Sequence, residues 1–539
     1  MSVYQQATEA PDAQDKSKMF KSGVLVLTSS ILRKTKTLAP LLSKASQSVD
    51  ETLYIYLDPE ASSQNDNRVP LTKGIQDLVI QTYVKASRSA LDVRFFLDNL
   101  GKCSPKVTFK RFPAVAICEK NTDIAKIVNS RLLVNRTNVT ILPVNSTESG
   151  QDEEIADLSD GPLKTYENVI LGGTFDRLHN GHKILLSQAS LICNKRLTVG
   201  VTNGKMNEKK SLYELMQSTD ERIGAVKEFL DDIKPSLFND VVPITDPFGP
   251  TITDENYQCL VVSQETLKGG NMVNTERKQK GWNMLELNVI DLVEDVDHSP
   301  EEETKISSSS GRKRLLGTLL KTPVFDPPSR TSPDVYVIGL TGGIASGKSS
   351  VCKRLKKLGA AIIDCDKLGH VAYVKGTKAF DQIVDVFGSD VVGSDGEIHR
   401  RSLGAKVFSD KSQLTKLNEI VWPAIEELAR KEVMEHVSQG KKIVILDAAV
   451  LLEAGWQNMT NEVWVAVIPR TEAVKRIMER NKMSEEEAMK RIDSQLSNTE
   501  RVSQANVVLS TLWDYDVTQK QVEKAWELLT KRVQSSSKL

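Results

Sequence analysis

This chain of 539 residues has little cysteine, little histidine and no excess of either charge. The six cysteines, Cys103, Cys118, Cys193, Cys259, Cys352 and Cys365, form no CxxC pair and no metal-type spacing. That excludes a disulfide framework and a zinc module, and it fits a reducing compartment. Lysine plus arginine and aspartate plus glutamate stand at 71 each, so the basic footprint of a nucleic-acid binder is missing and no nucleic-acid partner is expected. No apolar run approaches the ~18 residues of a membrane helix, so no transmembrane segment is expected. The composition points to a soluble intracellular protein.

The length allows roughly three domains. Residues 1–147 form a first region of short apolar strands whose role, regulatory or targeting, the residues leave unassigned. An acidic, turn-rich linker follows at 148–165. Two further domains cover 166–321 and 334–539, separated by a linker at 322–333 that carries Pro323, Pro327, Pro328 and Pro333 and should be extended. No internal repeat is visible. Between Asp15 and Asp50 there is no acidic residue, while Lys16, Lys18, Lys21, Arg33, Lys34, Lys36 and Lys44 are interspersed with Ser, Thr and Leu. That composition resembles a mitochondrial targeting segment, so the expected location is the mitochondrion and/or the cytoplasm. The same residues also read as a first strand, Val24–Thr28, followed by a basic helix. Protein partners have room to dock on this region.

The two later domains alternate apolar strands and helices. Val169–Leu171 and Leu197–Val201 flank a segment in which Ile184, Leu185, Ala189 and Ile192 follow helical spacing. In the last domain the strands are Val335–Ile338, Ala361–Ile363, Ile443–Leu446, Val463–Val467 and Val507–Leu509. Near-continuous apolar strands imply parallel sheets buried on both faces, hence α/β folds.

One strand–loop–helix junction reads Gly172-Gly173-Thr174-Phe175-Asp176-Arg177-Leu178-His179-Asn180-Gly181-His182. The glycines let a phosphate approach the backbone closely. The helix start offers free N–H groups and a positive dipole end to an anion. His179 and His182, one turn apart, can donate to oxygens on which charge develops. The string resembles the nucleotidyltransferase superfamily, a Rossmann-like fold, through its Thr-x-Phe-Asp and His-x-Gly-His motifs. That resemblance places Lys210 near the phosphates, makes the Glu221-Arg222 helix start a landmark, and assigns Gly172, Gly173, Thr174 and Phe175 to ATP. The run from Val262 to Arg277 looks like the archaeal and eukaryotic pantetheine-phosphate adenylyltransferase, which implies a nucleotide role for Arg277. By composition Ser307–Ser310 is a flexible linker. Yet Ile306-Ser307-Ser308-Ser309-Ser310-Gly311-Arg312 resembles the superfamily's second motif, which implies a helix N-terminus with Ser308, Ser309 and Arg312 at the ATP β/γ-phosphates.

A second phosphate motif, Gly342-Gly343-Ile344-Ala345-Ser346-Gly347-Lys348-Ser349, follows a strand and precedes a helix, the context a P-loop requires. Its backbone would cradle ATP, Lys348 would reach the β/γ oxygens, and Ser349 would hold Mg²⁺. After the next strand comes Asp364-Cys365-Asp366, a carboxylate pair placed to accept a substrate hydroxyl proton or to cap a helix. Asp-x-Asp here resembles dephospho-CoA kinase, which implies that Asp366 is the base. Ile398–Leu403 and Leu446–Glu453 fit the same family, although Ala449 stands where that family usually has proline. The resemblance also implies a mobile lid and adenine-side segment bearing Arg480, Arg491 and Gln495.

Together the motifs resemble the bifunctional coenzyme A synthases of animals, a pantetheine-phosphate adenylyltransferase fused to a dephospho-CoA kinase. The implied substrates are 4′-phosphopantetheine, dephospho-CoA and ATP with Mg²⁺. A nicotinamide-mononucleotide adenylyltransferase fused to a ribosylnicotinamide kinase, and a nucleotide-binding scaffold without activity, are the alternatives.

Overall fold

The computed structural model describes residues 19–28, 31–58, 71–87, 91–100, 109–119, 132, 140–144, 161–291, 294, 295, 298–300, 302–407 and 410–536. The chain divides into two compact units, Met1–Ser310 and Gly311–Leu539.

The first unit holds two parallel sheets. The first comprises β1 (Phe20–Leu27), β2 (Val49–Leu57), β3 (Asp92–Phe95), β4 (Val115–Glu119) and β5 (Thr140–Val144), with helices α1 (Ile31–Ser46) and α2 (Lys73–Ala86). Its order is β3-β2-β1-β4-β5. The second comprises β6 (Tyr166–Gly173), β7 (Cys193–Thr202), β8 (Phe238–Ile244), β9 (Cys259–Ser263) and β10 (Glu286–Ile290). Around it stand α3 (Asn180–Ile192), α4 (Thr219–Ile233), α5 (Leu267–Gln279) and the start of α6 (Ser308–Leu315). Its order is β8-β7-β6-β9-β10, the same 3-2-1-4-5 arrangement as the first sheet. Even the register repeats. Gly23–Leu25 lie between Leu53–Ile55 and Val115–Ile117, as Val169–Leu171 lie between Leu197–Val199 and Cys259–Val261. An internal repeat is therefore present, contrary to the sequence expectation. It escapes inspection because a parallel sheet constrains apolar character far more than residue identity. One hydrophobic cluster runs through both halves, from Leu25, Ile75 and Tyr83 to Ile184, Leu191 and Val226.

The basic segment resembling a targeting sequence is largely built into this fold. β1 is the central strand, with Val24–Leu27 fully buried, and α1 follows it, as the strand-and-helix reading had it. Residues before Met19 lie outside the described residues, as does most of the acidic linker.

The second unit carries β11 (Tyr336–Gly342), β12 (Ala361–Asp364), β13 (Ile443–Asp447), β14 (Glu462–Val467) and β15 (Val507–Ser510) in the order β12-β13-β11-β14-β15, all parallel. Its helices are α7 (Lys348–Lys357), α8 (Cys365–Val371), α9 (Lys378–Phe387), α10 (Arg400–Val407), α11 (Lys411–Ser438), α12 (Arg470–Asn481), α13 (Glu485–Asp493), α14 (Asn498–Gln504) and α15 (Tyr515–Ser536). One boundary is placed differently from the sequence reading. The units divide after Ser310 rather than at 321, because Gly317 and Leu320 donate backbone bonds to Val508 and Asn506 of the second unit. The proline-rich stretch is held to the second unit: Val324 and Ser329 donate to the carbonyls of Asn461 and Asn458. No described helix is long and apolar enough to cross a membrane.

Candidate active sites

In the first unit the C-terminal end of β6 runs into a strained loop. Phe175 and Arg177 take left-handed φ values of 50° and 48°, a conformation that costs a non-glycine residue of order 1–3 kcal/mol and persists only where the surroundings impose it. The fully buried Phe175 ring imposes it here. A Cβ on Gly173 would stand 2.9 Å from that ring, so the glycine makes room for it. The buried Asp176 ties the loop down by accepting from the Gln217 backbone at 3.0 Å. Arg222 closes it from below, donating to the carbonyls of Thr174 and Thr202 at 2.8 and 2.9 Å. Its landmark helix starts with a capping box, Ser218 with Glu221.

His179 caps α3, its Nδ1 accepting the backbone N–H of His182 at 3.3 Å. A neutral imidazole that accepts at Nδ1 carries its proton at Nε2. That Nε2 is buried and has no hydrogen-bond partner among the described residues. The two imidazoles stack, with ring centroids 3.7 Å apart. Burial pushes the His179 ring down to about 4 against the opposing charge of Asp176, and burial also holds His182 well below its ordinary value. Both are therefore neutral donors at neutral pH. Lys210 reaches the same loop, donating to Thr174 Oγ1 at 2.6 Å.

The serine run is a helix start, not a linker. α6 begins at Ser308, the Ser307 hydroxyl accepts the Ser310 N–H at 3.1 Å, and Ser308 Oγ donates to the Asp176 carbonyl at 3.3 Å. The second motif thus meets the first, bringing Ser308 beside the loop and the N-terminus of α3. Arg312 lies further along α6 and is buried. Arg277 is not placed for a nucleotide role. It is fully buried and donates to the carbonyls of Asn283, Thr251, Asp254 and Glu255, so it ties the turn after its own helix to the 251–255 segment.

In the second unit Gly342–Ser349 line a cleft of about 740 Å³ together with Asp366, Ala449, Arg476, Glu479, Arg480 and Gln495. Gly347 has φ 81°, and a Cβ there would meet Thr511 Oγ1 at 2.5 Å, so only glycine fits this turn. Lys348 bridges two carboxylates, Asp447 at 2.6 Å and Asp366 at 3.1 Å. Burial works to strip the lysine's charge, and the two carboxylates outweigh it and raise its pKa. The Asp-x-Asp pair divides its labour. Asp364 caps α8 by accepting from Lys367 N at 3.0 Å, while Asp366 faces the P-loop and accepts the Ala449 N–H at 3.3 Å. A proline at 449 could not make that last bond.

Of the expected lid residues, Arg480 and Gln495 line the cleft, and Gln495 accepts the Ile344 N–H at 2.8 Å. Arg491 stands exposed on α13, outside the lining. The cleft instead takes Arg476, one turn before Arg480, held by Glu472 and by Thr511 at 3.0 Å. Sequence reasoning missed Arg476 and gave Asp447 no role. The signal for the first was there in its spacing from Arg480 on one helix face, and for the second in an acid ending a strand beside the P-loop strand, but neither was used.

Three family models match the chain: COASY N-terminal domain over residues 21–116, Cytidylyltransferase-like over 170–314 and Dephospho-CoA kinase over 336–512. Among similar proteins, a dephospho-CoA kinase of Dehalococcoides mccartyi is 42% identical over 175 residues, which are 32% of this chain and 87% of that protein. One from Carboxydothermus hydrogenoformans is 39% identical over 186 residues, 34% of this chain and 90% of that protein. The chain belongs to the dephospho-CoA kinase family through its last domain, joined to a cytidylyltransferase-like domain and a COASY N-terminal domain, the domain set of a bifunctional coenzyme A synthase of animal type.

Proposed function

We propose that the chain completes coenzyme A in two steps, adenylyl transfer from ATP to 4′-phosphopantetheine and then phosphorylation of the dephospho-CoA 3′-hydroxyl. The observation that carries it is the pairing, on one chain, of a half-buried neutral histidine pair at a helix start with a P-loop lysine bridged to a strand-end acid.

In the first step a phosphate oxygen of 4′-phosphopantetheine attacks the α-phosphorus of ATP and pyrophosphate leaves. The nucleophile is already largely dianionic, its second pKa being about 6, so the protein needs no base. What it supplies is charge stabilisation and alignment: the Nε2–H of His179, the ammonium of Lys210 and the N-termini of α3 and α6. In the second step Asp366 takes the proton of the ribose 3′-hydroxyl, the oxygen attacks the γ-phosphorus of a second ATP, and ADP leaves. Lys348 and the backbone of the P-loop hold the phosphates, and Arg480 and Arg476 line the cleft opposite. The oxygen donors around Lys348, namely Ser349, Asp366 and Asp447, are of the kind that suits Mg²⁺ bound chiefly through nucleotide phosphates. When bound, the ion offsets phosphate charge.

The location, mitochondrion and/or cytoplasm, rests only on the acid-free stretch between Asp15 and Asp50, much of which forms β1 and α1, and fractionation of cells expressing the tagged chain tests it. The activity is tested by supplying 4′-phosphopantetheine or nicotinamide mononucleotide with ATP and Mg²⁺ and weighing the products. Dephospho-CoA followed by CoA is expected. Nicotinamide adenine dinucleotide would support the rival fusion, and no product would support the scaffold.

A further inference from the structure

In the first unit, helix α2 lies along α3, the helix that begins with the histidine motif, and one stripe of α3 meets it. Asn180 Nδ2 donates to the Tyr83 carbonyl at 3.0 Å and to Ser87 Oγ at 3.2 Å. Lys183, the residue after His182, is buried and donates to Asp92 Oδ1 at 2.6 Å and to the Val93 carbonyl at 3.3 Å. Ser187 Oγ donates to the Tyr83 hydroxyl at 3.2 Å. These positions, i, i+3 and i+7, form a face of α3 turned toward α2 and the start of β3. Burial alone would raise the Asp92 carboxyl, but Lys183 and Arg94 hold it below its ordinary value, so the pair is ionised. A buried lysine is tolerated only with such a partner.

The domain that provides these contacts has the nucleotidyl-transfer topology without its histidines. No histidine occurs anywhere before His179, so the first-sheet domain has no counterpart of the His179/His182 pair. It keeps the scaffold and an interface, and it lacks the donors that transfer requires. Donors to a developing charge need placement within about 0.5 Å, and a 1 Å error can cost about 10²-fold in rate.

We propose that the first-sheet domain is the seat of α3, and that Lys183 through Asp92, and Asn180 through the Tyr83 carbonyl, are positioning residues for adenylyl transfer. This rests on the adenylyltransferase reading above.

The test uses the full chain. Pyrophosphate release from the wild type with 4′-phosphopantetheine and ATP is measured first, and its absence overturns the reading of function and this inference with it. Given that activity, Asn180→Ala and Lys183→Met are expected to lower kcat about ten-fold or more. The KM values and the stoichiometry of 4′-phosphopantetheine binding should stay near wild type, and Lys183→Arg should recover most of the loss. Phosphorylation of dephospho-CoA by the same preparations should not change. If Lys183→Met unfolds the first unit, Asn180→Ala decides, since it removes only hydrogen bonds at a half-buried position. A wild-type kcat in Asn180→Ala, or a fall that merely tracks lost binding stoichiometry, overturns the proposal and leaves the adenylyltransferase reading standing.

Discussion

His179 caps the helix that carries His182 and lies over its ring, with the ring planes 18° apart. One residue thus has two separable duties, closing the helix start through Nδ1 and offering a donor at Nε2. Asparagine at 179 keeps a good cap and lacks that donor. His179→Asn should leave the unfolding midpoint of the first unit in place and lower adenylyl transfer by about 10²-fold. His179→Ala should in addition lose about 1 kcal/mol of stability. His182→Ala should cost about 10²-fold or more in the first step and leave the kinase step untouched. Wild-type pyrophosphate release from His182→Ala would show the motif to be architectural.

The half-buried neutral histidines also make stability depend on pH. Their folded values lie below the unfolded value, His179 at about 4 against 6.5. Above 6.5 neither state is protonated and the contribution is complete. As pH falls toward 4 the unfolded chain takes up protons that the folded one refuses, so stability drops by about 1.4 kcal/mol per pH unit for each histidine. Urea unfolding at pH 7, 6 and 5 should show this slope, and the His179→Asn, His182→Asn double variant should flatten it. An unchanged slope in that variant would assign the dependence elsewhere.

Lys348→Met should abolish phosphorylation of dephospho-CoA, since it removes the ammonium held between Asp366 and Asp447. Pyrophosphate formation from 4′-phosphopantetheine should continue at the wild-type rate. Equal loss of both activities would contradict two independent sites.

Gly347→Ala combines a left-handed backbone with a contact on Thr511. A cost of about 1–3 kcal/mol is expected in the second unit, with loss of the kinase step. Thr511→Ser in the same chain relieves the contact with the methyl group and should recover part of the stability. Thermal unfolding followed beside the kinase assay reads both.

Arg277→Met should act on stability and not on the nucleotide. It leaves four carbonyls without their donor, a loss of about 3 kcal/mol or more. The KM for ATP in the protein that remains folded should match the wild type, and a raised KM would return Arg277 to the binding site.

The chemistry was legible where it is local. The histidine junction, the P-loop and the Asp-x-Asp pair each lie on one strand end and the turn after it, so adjacency in sequence is adjacency in space. Even the serine run resolved correctly, because a helix start is a local event. Sequence failed where tertiary partners decide. Arg277 carries a family-like motif, yet its surroundings are carbonyls from a loop and a helix end that spacing does not reveal. Arg491 and Arg476 are alike in type, and only the packing of α12 against the P-loop selects one. The repeat of the first two sheets hid for the opposite reason: its topology survives in apolar positions that any parallel sheet would share.

The acid-rich stretch before Pro162 looks like the natural place to sever this chain into smaller pieces. The hydrophobic cluster shared by the first two sheets says otherwise. A fragment beginning there would lose the part of that cluster built by β1, β2, β4 and α2 and strand Lys183 without Asp92, its partner 91 positions earlier. By the same logic, a substitution at residue 92, remote from every motif in the linear map, sits one hydrogen bond from the helix that the first motif opens.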